Sequence, residues 1–153
     1  MIVLGIDPGA TTGWVAYDTE TRGVTARGEF AGHGTVMLCA HQQLDVVTME
    51  RLVPHGASYP QVVEAAYVAG RIVGQFQVHV RELPRSEVRR ILQDATHGAV
   101  KVRDDKSVWA ALLLIHGGDA AGEKGGSLYG VKSHERAALA VAVAWVLRNE
   151  VTK

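Results

Sequence analysis

The sequence predicts an α/β fold in which a mixed five-stranded sheet is flanked by helices. Residues 2–7, 12–17 and 24–30 are short runs of β-favouring residues joined by glycine-containing turns, which is typical of an antiparallel meander. Two later strand-like runs, 45–50 and 78–83, are each preceded by a helical segment. Alternation of this kind indicates that the later strands join the meander as parallel strands.

Apolar residues at helical spacing predict the helices around this sheet. The predicted helices cover residues 32–44, 61–76, 84–92, 105–115 and 133–149. Ser86 and Ser133 are the predicted N-caps of the third and last of them. Six glycines in residues 117–130 predict a mobile loop before the last helix.

Length and composition indicate one domain, residues 1–153, of an ordinary globular kind. Lysine plus arginine equals aspartate plus glutamate, 16 against 16, so any nucleic acid must be bound by local patches. Cys39 is the only cysteine, which fits a reducing, cytoplasmic location. The N-terminal run lacks the basic region of a signal peptide, and no apolar run is long enough to suggest a membrane span.

Three residues stand where an α/β sheet usually carries chemistry. Asp7 ends the first strand, Glu50 ends the fourth, and His134 opens the last helix. If the first and fourth strands are parallel neighbours, both carboxylates lie at the same edge of the sheet. Carboxylate oxygens suit Mg²⁺ or Mn²⁺, and two such ions about 4 Å apart can drive phosphodiester hydrolysis.

Each residue also has a simpler interpretation. Asp7 precedes Pro8 and Gly9, so it could be a turn residue, and Glu50 could be a solvated strand end. His134 could serve only the first turn of its helix. Taken singly the three residues are weak signals, and their combination carries the prediction.

Four segments, in order along nearly the whole chain, resemble RuvC-type Holliday junction resolvases of the RNase H-like superfamily, in a small bacterial or phage form. They are residues 2–9 (IVLGIDPG) with 12–15 (TGWV), 45–50 (DVVTME), 86–90 with 106–108, and 133–140 (SHERAALA). The resemblance implies an RNase H-like fold: a three-strand antiparallel meander plus parallel strands, flanked by helices. It also implies metal-dependent hydrolysis.

Carried over to this chain, the resemblance implies that Asp7 and Glu50 ligate metal and that His134 either ligates it or activates water. The family usually has an aspartate three residues after that histidine, where this chain has Ala137. Alanine cannot ligate a metal. Glu135 is a poor substitute, since it lies about 100° further round the helix than His134.

Two explanations of Ala137 remain open. Either the natural protein has aspartate there and this chain carries an inactivating substitution, which the otherwise intact motif favours, or its lineage has lost or rearranged the ligand. A non-cleaving module that binds branched DNA is therefore the alternative to a nuclease. A third hypothesis is an actin-like phosphotransferase, because residues 5–13 are also similar to the phosphate-binding hairpin of that class, which needs two such domains.

Basic and aromatic residues suggest where DNA could bind, although a solvated helix face explains the basic stretch equally well. Arg85 and Arg89 share a predicted helix face at i, i+4 spacing and could contact phosphates. Tyr59 could stack on an unpaired base or pack locally. The predicted DNA-binding residues are Arg51, Tyr59, Arg85, Arg89, Arg90, Lys101 and Lys106.

The sequence thus predicts an endonuclease that cleaves four-way DNA junctions by symmetric phosphodiester hydrolysis. The resemblance implies Mg²⁺ or Mn²⁺, with two ions in each active site. A four-way junction has near two-fold symmetry, so paired cuts favour a homodimer with two matched sites. Residues 61–76 could supply its interface or part of the core.

Overall fold

The computed structural model describes residues 1–31, 44–51, 59–74, 76 and 79–150. Its five strands form one sheet in the order β3-β2-β1-β4-β5. The strands are β1 (Ile2–Asp7), β2 (Thr11–Asp18), β3 (Gly23–Ala31), β4 (Val46–Arg51) and β5 (Val80–Pro84). The α-helices are α1 (Tyr59–Val73), α2 (Arg85–Ala95), α3 (Asp105–Ile115) and α4 (Ser133–Glu150), and a 3₁₀ turn covers Asp119–Gly122.

The pairing of the strands confirms the predicted mixed sheet. β1, β2 and β3 form an antiparallel meander, whereas β4 lies parallel to β1 and β5 lies parallel to β4. The chain reaches β4 and β5 by crossovers, as parallel neighbours require. The sheet therefore places the ends of β1 and β4 side by side.

Helices cover both faces of the sheet. On one face α2, α3 and α4 bury a core that includes Val3 and Leu139, and on the other α1 buries Ile72 against Leu4 and Met49. Successive residues of β1 thus point alternately into the two cores. Both faces of the strand are therefore buried, which is why it is apolar along its length. Among the described residues, none of the helices combines the length and hydropathy that a membrane crossing requires.

The last helix lies unusually close to the first strand. A Cβ atom added at Gly5 would overlap the carbonyl oxygen of Ala138 and meet Ala142. Only glycine on the strand and small residues on the helix permit this approach. The alanines of α4, which alone would indicate little more than helix propensity, are the surface through which α4 rests on β1.

The structure contradicts two sequence predictions, and a third lies almost entirely outside the described residues. The predicted helix over residues 32–44 lies outside the described residues, except for its last residue. Ser86 is not an N-cap, because α2 begins directly after β5 with Pro84 at the cap position and no capping side chain. Proline supplies the extended backbone needed there.

The glycine-rich segment 117–130 is packed rather than loose. It holds the 3₁₀ turn, and Ala121 and Leu128 are buried in the core. Backbone hydrogen bonds join Leu128 to Ala121 and Val24 to Ser127. The glycines therefore serve tight turns and close contacts in an ordered loop.

The pH dependence of stability is expected to contain a contribution from His116. Nδ1 of His116 donates to the Leu112 carbonyl oxygen at 2.7 Å, so Nε2 accepts from the Tyr17 hydroxyl at 3.0 Å. Burial lowers the pKa of this neutral imidazole below its usual 6.5. The unfolded chain then binds the proton more readily, so stability is lost as the pH falls below about 6.5, by up to about 1.4 kcal/mol per pH unit.

Urea unfolding of the protein and of His116→Gln between pH 7.5 and 4.5 measures this contribution. The difference in free energy of unfolding between them should shrink as the pH falls. His97→Asn is the matched control, because His97 is exposed and its φ of 51° suits asparagine. Parallel curves for the protein and His116→Gln would refute the assignment.

Candidate active site

The two predicted carboxylates lie at the same edge of the sheet. β1 pairs with β4 in a register that sets Ile6 opposite Met49, so the next residues, Asp7 and Glu50, are neighbours. Glu50 is 7 % exposed and the side chain of Asp7 is 17 % exposed. The structure confirms the sequence-based condition that the first and fourth strands are adjacent and parallel.

Burial makes these carboxylates unstable as anions. It raises the pKa of Glu50 to about 7, opposed by the nearby positive charge of Arg85. It also raises the pKa of Asp7, opposed by the hydrogen bond and charge of His134. A cation bound between these two adjacent groups would stabilise the ionised form of both.

His134 reaches the carboxylates from the first turn of α4. Its Nδ1 lies 3.2 Å from Oδ2 of Asp7. The backbone N–H of His134 donates to Oε1 of Glu29 at 2.8 Å, which ties the helix start to β3. A Cβ at Gly13 would overlap the backbone of His134, so glycine in β2 lets the helix come close enough for this contact.

Residues 135 and 137 differ in where they face. Ala137 lines the same cleft as Asp7, Glu50 and His134, one helical turn after His134. Glu135 is buried on another side of α4, where its Oε2 accepts from the backbone N–H of Lys132 at 2.8 Å. Arg27 also lies 3.3 Å from that oxygen. Glu135 is thus held away from the site and leaves the position of Ala137 without a carboxylate.

A cleft of about 630 Å³ surrounds these residues. Of the predicted DNA-binding residues, Arg85, Arg89 and Lys106 line it, so the shared face of Arg85 and Arg89 is confirmed. Arg136, Trp109 and Asp105 also line it and were not predicted. Asp105 precedes Lys106 and Arg136 lies within the segment 133–140, so both had a signal in the sequence, whereas nothing local marked Trp109.

Arg85 joins two carboxylates across the cleft. One of its terminal nitrogens lies 3.8 Å from Oε1 of Glu50, and the other contacts Oδ1 of Asp105. Its pKa is raised: burial lowers it, and the charges of Glu50 and Asp105 outweigh that effect. A protein cation therefore already lies beside Glu50.

The remaining predicted DNA contacts do not line this cleft. Arg51 and Lys101 are exposed elsewhere, and Arg90 is exposed and paired with Asp94 at 3.4 Å. Tyr59 is the first residue of α1, and its side chain lies outside the described residues. As DNA contacts, all seven residues stay predictions.

The oxygen atoms of the site suit a divalent cation, but the site offers fewer ligands than a two-ion centre needs. Asp7 and Glu50 offer adjacent carboxylate oxygens, which hard cations prefer. His134 is bound to Asp7, and Ala137 offers no ligand atom. Within the part of the chain that the structure describes, no three acidic, histidine or cysteine side chains converge closely enough to hold an ion. The arrangement is therefore a cation site that lacks one ligand, and it is not a complete two-ion centre.

The fold and this cleft define an RNase H-like domain with an acidic site at the ends of two parallel strands. Solved structures share that fold at low sequence identity. RuvC of Thermus thermophilus, in complex with a Holliday junction substrate, has a TM-score of 0.69 and 16 % identity, covering 99 % of this chain and 96 % of RuvC. A second structure of the Thermus thermophilus protein has a TM-score of 0.65 and 17 % identity, covering 99 % and 97 %.

These likenesses confirm the predicted resemblance in fold to RuvC over the full chain. At the level of sequence, no family model and no curated protein matches the chain. Identities this low show a shared architecture, so activity has to be argued from the site itself.

Proposed function

We propose that this chain is a nuclease that binds four-way DNA junctions and cleaves them at the site formed by Asp7, Glu50 and His134. The observation that carries the proposal is the meeting of these three side chains in one cleft with a basic rim, from segments far apart in the sequence. A solved protein of the same fold is bound to a Holliday junction. That shared fold supports branched DNA as the substrate.

Asp7, Glu50 and His134 would have distinct roles in hydrolysis. Asp7 and Glu50 would hold Mg²⁺ or Mn²⁺, which supplies an activated water and offsets charge on the phosphate. His134, hydrogen-bonded to Asp7, orients that carboxylate and can accept a proton from the attacking water through its exposed ring. The second ion implied by the resemblance lacks a ligand at Ala137. Cleavage by this chain should therefore be slow.

The cleft provides the DNA contacts. Arg89 and Lys106 lie on its rim without ion pairs among the described residues, so they are suited to backbone phosphates. Arg51, Tyr59, Arg90 and Lys101 would extend the contact surface outside the cleft.

A homodimer is part of the proposal. Two copies would present two matched sites to the two-fold symmetric junction. The exposed apolar side chains of α1, Val63, Tyr67 and Val73, support an interface on this helix. Sedimentation of the free protein would show a species of twice the monomer mass.

A non-cleaving junction-binding module is the second candidate, and two observations favour it. Ala137 leaves the site short of a ligand, and the guanidinium of Arg85 lies where it can neutralise Glu50 without a metal. In this alternative the cleft binds branched DNA and the acidic pair is a remnant.

Cleavage of a labelled four-way junction, beside linear duplex, in Mg²⁺ and in Mn²⁺ tests the proposal. We expect preferential binding of the junction and slow paired nicks at symmetric positions. Asp7→Asn should abolish the nicks and retain binding, since it removes the charge that holds the cation. Asp119→Asn, an exposed acid outside the cleft, is the matched control.

Each outcome separates the candidates. Tight junction binding without nicks, both by this chain and by Ala137→Asp, would establish the non-cleaving module. Equal affinity for junction and duplex would remove the structural specificity on which both candidates depend.

A further inference from the structure

Arg136 is an oriented cation that lines the cleft and has no part in the roles proposed for Asp7, Glu50 and His134. Its guanidinium carbon lies 4.4 Å from the centre of the Trp109 ring, and its Nε donates to the carbonyl oxygen of Val131 at 3.3 Å. Arg136 comes from α4 and Trp109 from α3, and both line the cleft that holds Asp7 and Glu50. Stacking on an indole fixes the plane of a guanidinium while leaving its edge free to donate.

The charge of Arg136 has no carboxylate partner within the described part of the protein. Arg85 is paired with Glu50 and Asp105, and Arg27 is paired with Glu135. Arg136 has no ion pair among the described residues, although it is partly buried. A stacked guanidinium without a carboxylate partner is suited to bind an anion from outside the chain.

A second arginine in the same cleft has an unused donor. The Nε–H of Arg89, on α2, is buried and finds no hydrogen-bond partner among the described residues. A buried donor without an acceptor is costly, so an anion that accepts from Arg89 would remove this penalty. Two arginines from different helices thus line one cleft, each with donors to offer.

We propose that Arg136, held on Trp109, and Arg89 bind a backbone phosphate of the DNA strand that lies beside Asp7 and Glu50. This inference rests on the proposed function and adds the residues that position its substrate. The acidic pair repels a phosphate, and Arg85 is already neutralised by its own partners. Arg136 and Arg89 supply the positive charge that lets the strand approach the site.

Junction binding measured in EDTA, by fluorescence anisotropy across a salt series, tests the proposal without any cleavage. Arg136→Gln is expected to weaken binding roughly five- to tenfold and to lower the slope of log affinity against log salt by about one. Arg136→Lys should keep most of the slope. Trp109→Leu should weaken binding severalfold with the slope retained, because the charge remains and its orientation is lost.

Arg148→Gln is the matched control, since it makes the same chemical change on the same helix, far from the cleft, and should stay within about twofold of the unchanged protein. Thermal unfolding of each variant checks folding. If Arg136→Gln does not fold, Arg89→Gln decides, because it should lower the same slope by about one.

The outcomes distinguish this inference from the proposed function. Unchanged affinity and slope in folded Arg136→Gln, with tight junction binding by the unchanged protein, would overturn the phosphate site and leave the proposed function intact. Failure of the unchanged protein to bind the junction would overturn both.

Discussion

Replacing Ala137 with aspartate is expected to raise the rate of junction cleavage on the order of 100-fold. Residue 137 lines the cleft with Asp7, Glu50 and His134. Because it follows His134 by one helical turn, an aspartate there would add a third carboxylate to the two at the strand ends. Mn²⁺ affinity, measured by calorimetry in the absence of DNA, should rise together with the cleavage rate.

Ala137→Asn is the control for this experiment. It has nearly the shape of aspartate without the charge, so it should leave cleavage close to that of the unchanged chain. Equal rates and equal Mn²⁺ affinities for the aspartate and asparagine variants would show that residue 137 is not the missing ligand. In that case Glu135 would still be an unsuitable substitute, since it is tied to Arg27 and Lys132.

Replacing Gly5 with alanine is expected to reduce the free energy of unfolding by about 3 kcal/mol. The new methyl group would overlap the carbonyl oxygen of Ala138, a backbone atom that cannot move without moving α4. Because α4 carries His134 and Ala137, its displacement should also weaken junction cleavage. Urea unfolding at neutral pH measures the loss.

Gly70→Ala is the matched control, because it makes the same change where the structure offers room. Gly70 lies in α1, and nothing lies within 4 Å of the Cβ atom that alanine would add. Alanine there should raise stability by up to about 1 kcal/mol through helix propensity. If the two variants changed stability by similar amounts, the close contact between β1 and α4 would not be the reason for glycine at position 5.

The strands and the location of the acidic site can be predicted from the sequence. Apolar runs and glycine-containing turns predict β1 to β5, since strand formation depends on local pattern and burial. Asp7 and Glu50 could be paired because carboxyl ends of adjacent parallel strands meet at one edge. The resemblance to the resolvase family pointed to His134 and to the expected aspartate at position 137, and helical spacing puts both positions on one face.

The other groups that face that site depend on how the helices pack in three dimensions. Asp105, Trp109 and Arg136 line the cleft because α3 packs against α2 and α4, and α4 packs against the sheet. The ion pair of Arg85 with Glu50 joins residues from α2 and β4. Such contacts depend on how elements pack, and no local pattern in the chain records them.

The same reason explains the errors and omissions. Ser86 looked like an N-cap because serine favours that position, but the direct passage from β5 into α2 placed Pro84 there. Glycines suggested a mobile loop in residues 117–130, where Leu128 in fact fills the core. Local propensity describes what a segment can do alone, and burial against distant segments decides what it does in the fold.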